Sequence, residues 1–98
     1  MSYTESEERL LELLGSQHTF PCAFPIKIMF RTADATGADL LATVASVTGV
    51  RTAGASKERT SSKGKYTSLT ASFQVGQPEQ IIEIYRHLAT VTEVVSYF

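Results

Sequence analysis

The sequence has no Asn, one Cys, three Pro and no apolar run long enough to cross a bilayer. Each shortage removes a class of protein. Without Asn there is no N-glycosylation acceptor. Cys22 alone cannot form an intrachain disulfide, so the fold does not depend on an oxidising compartment. A spanning helix needs about 20 consecutive apolar residues, and the first residues are acidic where a secretory signal would be basic. The expectation is a cytoplasmic protein with no membrane partner. A large excess of charge is missing too: nine Lys and Arg against ten Asp and Glu leave a net −1. That total argues against a protein built around wholesale phosphate neutralisation.

What is present is one domain's worth of chain. Ninety-eight residues, 43% hydrophobic and 19% charged, suit a single modest core. The charge is unevenly placed. Residues 1–19 sum to −3, from Arg9 against Glu5, Glu7, Glu8 and Glu12. Residues 20–65 sum to +4, with Lys57, Arg59, Lys63 and Lys65 close together, and residues 66–98 sum to −2.

Periodicity divides the chain. Thr4 with Glu7 fits a capping box, Leu10, Leu11 and Leu14 form a stripe, and Gly15 is a natural stop, so residues 1–19 read as an acidic helix and connector. A helix this short must dock on something, its own domain first. Phe24, Ile26, Ile28 and Phe30 alternate with Lys27, Met29 and Arg31, a half-buried strand whose regular pairing is expected after Pro25. Thr36 with Asp39 caps a helix carrying Leu40, Leu41, Val44 and Val47 and ending at Gly49. Val50–Ala53 is a weak strand candidate, and Gly54–Lys65 reads as a mobile basic loop. Leu69, Ala71, Phe73 and Val75 alternate with Tyr66, Ser68, Thr70, Ser72 and Gln74 in a second strong strand. Pro78 opens a helix with Ile81, Ile84, Tyr85 and Leu88 inward, and Val91–Phe98 is a last β-rich run. The order β-α-β-β-α-β over residues 20–98 identifies an α+β ferredoxin-like plait. Such a plait has two helices on one face of a four-stranded antiparallel sheet.

Phe20-Pro21-Cys22-Ala23-Phe24-Pro25-Ile26-Lys27-Ile28-Met29, Ser61-Ser62-Lys63-Gly64-Lys65-Tyr66-Thr67-Ser68-Leu69-Thr70, and Glu79-Gln80 with Tyr85-Arg86-His87-Leu88 resemble the YbeD-like proteins. These are small bacterial proteins of unknown function. The resemblance covers residues 20–98, with Ser-Ser-Lys-Gly-x-Tyr its most specific part. It implies a ferredoxin-like, ACT-like domain in a bacterial cytoplasm and carries over no catalytic residues. ACT domains bind amino acids at an Asp-x-Pro-Gly turn. The matching turn here is Asp34-Ala35-Thr36-Gly37, without the Pro.

The residues that could carry chemistry are few. Cys22, His18 and His87 fall short of a four-ligand zinc site and lack its spacing, so no metal or cofactor is expected. Asp34 with Asp39, and Glu79 with Glu83, are explained by helix capping and a solvated face. No phosphate loop, dinucleotide fingerprint or serine elbow is present, and the protein is not expected to be an enzyme. The basic stretch is the remaining constellation. Cations, hydroxyls and the freedom of Gly64 can hold a phosphate or an acidic surface, or can simply keep a hairpin soluble. The leading expectation is a regulatory or adaptor domain that takes a protein partner or small ligand. Its surface would be Lys27, Arg31, Tyr66 and Ser68 with Ser61, Ser62, Lys63, Gly64 and Lys65. A nucleic-acid or phosphometabolite binder using residues 57–65 is the alternative. It is disfavoured because Lys63-Gly64-Lys65-Tyr66 is followed on its face by hydroxyls rather than base-stacking aromatics. Amino-acid sensing at Asp34, Thr36 and Gly37 is a third reading. The β-rich end also leaves an edge for a homodimer.

Overall fold

Two ten-residue segments with strict alternation make the centre of the sheet. The computed structural model describes residues 2–98, and β1 (Cys22–Arg31) and β3 (Tyr66–Val75) pair antiparallel along their whole length, from Cys22 opposite Val75 to Arg31 opposite Tyr66. Their inward residues Ile26, Ile28, Phe30, Leu69, Ala71, Phe73 and Val75 are buried. The other elements are α1 (Glu5–Gln17), α2 (Gly37–Thr48), β2 (Lys57–Thr60), α3 (Pro78–Thr90) and β4 (Val94–Tyr97). The sheet order is β2-β3-β1-β4, all antiparallel, giving the α+β ferredoxin-like plait. Leu40 and Val44 of α2 with Ile81, Ile84 and Leu88 of α3 cover the inward face, each large side chain contributing about 1.5–3 kcal/mol by leaving water.

Local chemistry sets most of the boundaries. Thr36 Oγ1 accepts from Asp39 N at 3.1 Å to cap α2, which ends at Gly49 with φ 77°, a left-handed conformation that glycine adopts without Cβ strain. Five expectations need correction. The helix α1 runs through Gly15 to Gln17, since its C-terminal cap is His18 N donating to Leu14 O. Pairing in β1 starts before Pro25, which stands opposite Ser72. Alternate residues of β1 aim their N–H groups at opposite neighbours, and Lys27 N donates to Phe98 O. The Pro25 nitrogen therefore faces the β4 side, beyond the end of that strand, and no ladder bond is lost. Val50–Ala53 makes only an isolated bridge, Thr52 to Phe73. The expected mobile loop instead contains β2, and the last strand starts at Val94, after a turn in which Val94 N donates to Val91 O.

The acidic helix docks on its own domain. Leu14 is buried and Leu10 packs against the core. Glu7 and Arg86 of α3 form a two-pronged pair at 2.7 and 2.6 Å, and the Arg86 guanidinium lies 5.1 Å from the Tyr3 ring centre. The Arg86 hydrogen bonds, followed by the Thr4 backbone N–H, pull the Glu7 carboxyl down from 4.5 to about 2. A depressed folded-state pKa stabilises fully above pH 4.5 and ceases to as pH falls through about 2. Glu7→Gln should therefore melt below wild type at neutral pH, and the gap should close as melting curves are taken down to pH 2. A constant gap across that range would contradict the assignment.

Candidate functional site

Residues directly opposite on neighbouring strands share a face, so the register defines the open side of the sheet. One line runs through Lys57, Thr70 and Lys27 of β2, β3 and β1 to Phe98, the residue after β4, which is joined to Lys27 by two backbone hydrogen bonds of 2.7 and 2.9 Å. The next line is Arg59, Ser68, Met29 and Ser96, and the third begins with Tyr66 beside Arg31. Successive lines lie about 7 Å apart, two residues along a strand. A groove of about 520 Å³ opens at the hairpin end, lined by Met29, Arg59, Ser61, Ser62, Tyr66 and Ser68. Backbone bonds between Ser61 and Tyr66, and from Gly64 N to Ser61 O, fix the turn that forms its rim.

Charge is segregated by face. Glu5, Glu7, Glu8 and Glu12 lie on α1, Asp39 on α2, Glu79 and Glu83 on α3. Asp34 and Glu93 flank Arg31: Arg31 Nε donates to Asp34 at 2.6 Å, and that bond, ahead of the fields of Asp34 and Glu93, raises the Arg31 pKa. Glu58 points to the inner side of β2. A Cβ placed on Gly37 would stand 2.5 Å from its Oε1. Among the described residues, no Asp or Glu side chain shares the lines that carry Lys27, Lys57 and Arg59. None of these three cations enters an ion pair among the described residues.

The sequence-derived site is thus partly assembled. Ser61, Ser62, Tyr66 and Ser68 meet in the groove, and Lys27 stands on the same face. Lys63 and Gly64 sit at the hairpin tip outside it, while Lys65 places its ammonium 5.5 Å from the Tyr66 ring centre. Arg31 is held by Asp34 and by the Thr92 carbonyl at 2.9 Å, so it ties the end of β1 to the β4 turn. The three residues of the ACT-like turn are all engaged within the chain: Asp34 by Arg31, Thr36 as a cap, Gly37 beneath Glu58. Arg59, expected within the basic stretch 57–65, stands on β2 rather than on a loop. Phe98 lies outside every expected site: it emerges on the open face, 65% exposed, with Lys27 Nζ 5.9 Å from its ring centre. The face expected to lack aromatics beyond Tyr66 therefore carries a second one. Neither position carries a burial signal in the sequence.

His18 packs edge-on against Phe24 at 5.2 Å, and Cys22 is a free, half-buried thiol at the start of β1. Among the described residues no group of three or more His, Cys, Asp and Glu is arranged to hold a metal ion, and no helix is long and apolar enough to cross a membrane.

These features define a small ferredoxin-like plait with a cationic open sheet face. The profile of the family described as "Protein of unknown function (DUF493)" matches residues 15–98. The chain belongs to that family, which is the one the YbeD-like sequence motifs point to. A UPF0250 protein from Paraburkholderia phytofirmans is 36% identical over 69 residues, covering 70% of this chain and 78% of that protein. No solved structure shows a significant match.

Proposed function

We propose that the protein is a non-enzymatic regulatory or adaptor domain of the bacterial cytoplasm that docks an acidic partner on its open sheet face. The observation that carries this reading is the segregation of charge. Among the described residues, the two cross-strand lines that carry Lys27, Lys57 and Arg59 hold no Asp or Glu, Asp34 being paired with Arg31 at the end of β1, while α1 and α3 hold six of the ten acidic residues. A face of one sign steers an oppositely charged partner and excludes like-charged ones. The groove lined by Arg59, Ser61, Ser62 and Tyr66 offers cation, hydroxyl and aromatic groups. It holds neither imidazole nor carboxylate to serve as a general base.

Retention on polyanionic resins, heparin and polyglutamate, tests the reading. Wild type should bind both at low salt. Lys57→Glu with Arg59→Glu should elute at much lower salt with an unchanged melting temperature, because both side chains are exposed on the edge strand. Lys63→Glu with Lys65→Glu, at the hairpin tip, should shift elution less. Passage of wild type through both resins at low salt would overturn the proposal.

A further inference from the structure

We infer that the acidic partner is single-stranded nucleic acid, whose phosphates lie on Lys27, Lys57 and Arg59 and whose bases stack on Tyr66 and Phe98. This rests on the open-face reading and narrows it. An acidic protein surface would account for the cations. It would leave unexplained why the same face exposes two aromatic rings, Phe98 among the most exposed large hydrophobic residues of the chain. Unpaired bases account for both, since stacking on an aromatic side chain contributes in proportion to ring contact and tolerates any base.

Each ring has its own cation: Lys27 Nζ lies 5.9 Å from the Phe98 centre and Lys65 Nζ 5.5 Å from the Tyr66 centre. A base replacing either ammonium over its ring brings its phosphate to that same lysine, so stacking and charge neutralisation occur at one place. The two rings are two strands and two lines apart, roughly 17 Å from strand spacing and rise. The direct path between them crosses Met29 on β1, with the hydroxyl residues Ser68 and Thr70 on one side, Ser96 on the other, and Arg59 and Lys57 along the β2 side. Small hydroxyl residues there leave the backbone low, so a strand can lie flat from one ring to the other with cations flanking it. A duplex keeps its bases stacked on one another and offers the rings nothing, so selectivity for unpaired strands follows.

Fluorescence anisotropy at low salt, with single-stranded RNA and DNA of one sequence, the same sequence as a duplex, and polyglutamate, tests the inference. Both single strands should bind more tightly than the duplex or polyglutamate. Tyr66→Ala and Phe98→Ala should each weaken single-strand binding roughly tenfold and leave polyglutamate binding unchanged, with Tyr66→Phe and Phe98→Trp near wild type. Lys27→Gln and Lys57→Gln should each lower the slope of log affinity against log salt by about one. Folding of every variant is read from its melting curve, and the exposed Phe98 variants carry the test if Tyr66→Ala melts early. Binding of polyglutamate alone, or single-strand binding indifferent to both rings, would overturn the nucleic-acid inference while the acidic-partner reading stands. Absence of binding to any polyanion would remove both.

Discussion

Phe73→Ala is expected to cost about 3–5 kcal/mol, the range for deleting a fully buried aromatic ring. Phe73 is 0% exposed, stands opposite Phe24 in the central strand pair, and takes the one bridge from the segment around Thr52. The cavity would open where sheet and helices meet, between β1 and β3, the two strands that pair along their full length. A domain of this size has a total stability of roughly 5–15 kcal/mol. The loss is therefore a large part of the whole and should lower Tm by well over ten degrees at about 4–8 °C per kcal/mol. Urea unfolding should show a reduced midpoint with an unchanged slope. A Tm within a few degrees of wild type would mean that the site collapses onto the void and that the core is not centred there.

Leu14→Ala is expected to release α1. Leu14 is the one buried residue of that helix, and Leu10 lies only partly against the core. Removing a buried leucine side chain costs about 2–5 kcal/mol, more than an exposed i,i+4 pair such as Glu5 with Arg9 can offset. A thirteen-residue helix is marginal on its own, so undocking should also melt it. Far-ultraviolet circular dichroism should lose about a third of its helical signal, since α1 holds 13 residues against 12 in α2 and 13 in α3. Protease should then cut after Arg9 in the variant well before it cuts the sheet. Full helical signal at temperatures where the sheet remains folded would show that Glu7 and Arg86 hold the helix unaided.

The strands that were legible in the sequence are the two whose inward positions touch the core. Ile26, Ile28 and Phe30, and Leu69, Ala71 and Phe73, declare a half-buried strand because burial on one face imposes a period of two. The strand β2 was not legible because its inward residues are polar and locally satisfied. Thr60 Oγ1 lies 3.3 Å from Thr67 Oγ1, Thr67 in turn 2.8 Å from Thr32 Oγ1, and Glu58 covers Gly37. Without an apolar residue, Lys57-Glu58-Arg59-Thr60 carries no burial signal, and its composition is that of a loop. Similarly, the hairpin serines, Tyr66 and Ser68 could be grouped from sequence because they are contiguous with a strong strand. Phe98 could not, because its face is set by pairing with Lys27 near the other end of the chain. Arg31 shows the converse. Alternation gave its face correctly, but only the structure shows that Asp34 and the Thr92 carbonyl occupy it.

The separation of charge between the sheet and the helix layer gives this nearly neutral protein a permanent dipole moment roughly perpendicular to the sheet. Such a moment turns the molecule in the field of a polyanion before contact, so that the cationic side leads. Reorientation of this kind depends on the distance over which the field survives, about 10 Å at 0.1 M salt. Its effect on encounter rate therefore disappears with added salt even when net charge is unchanged.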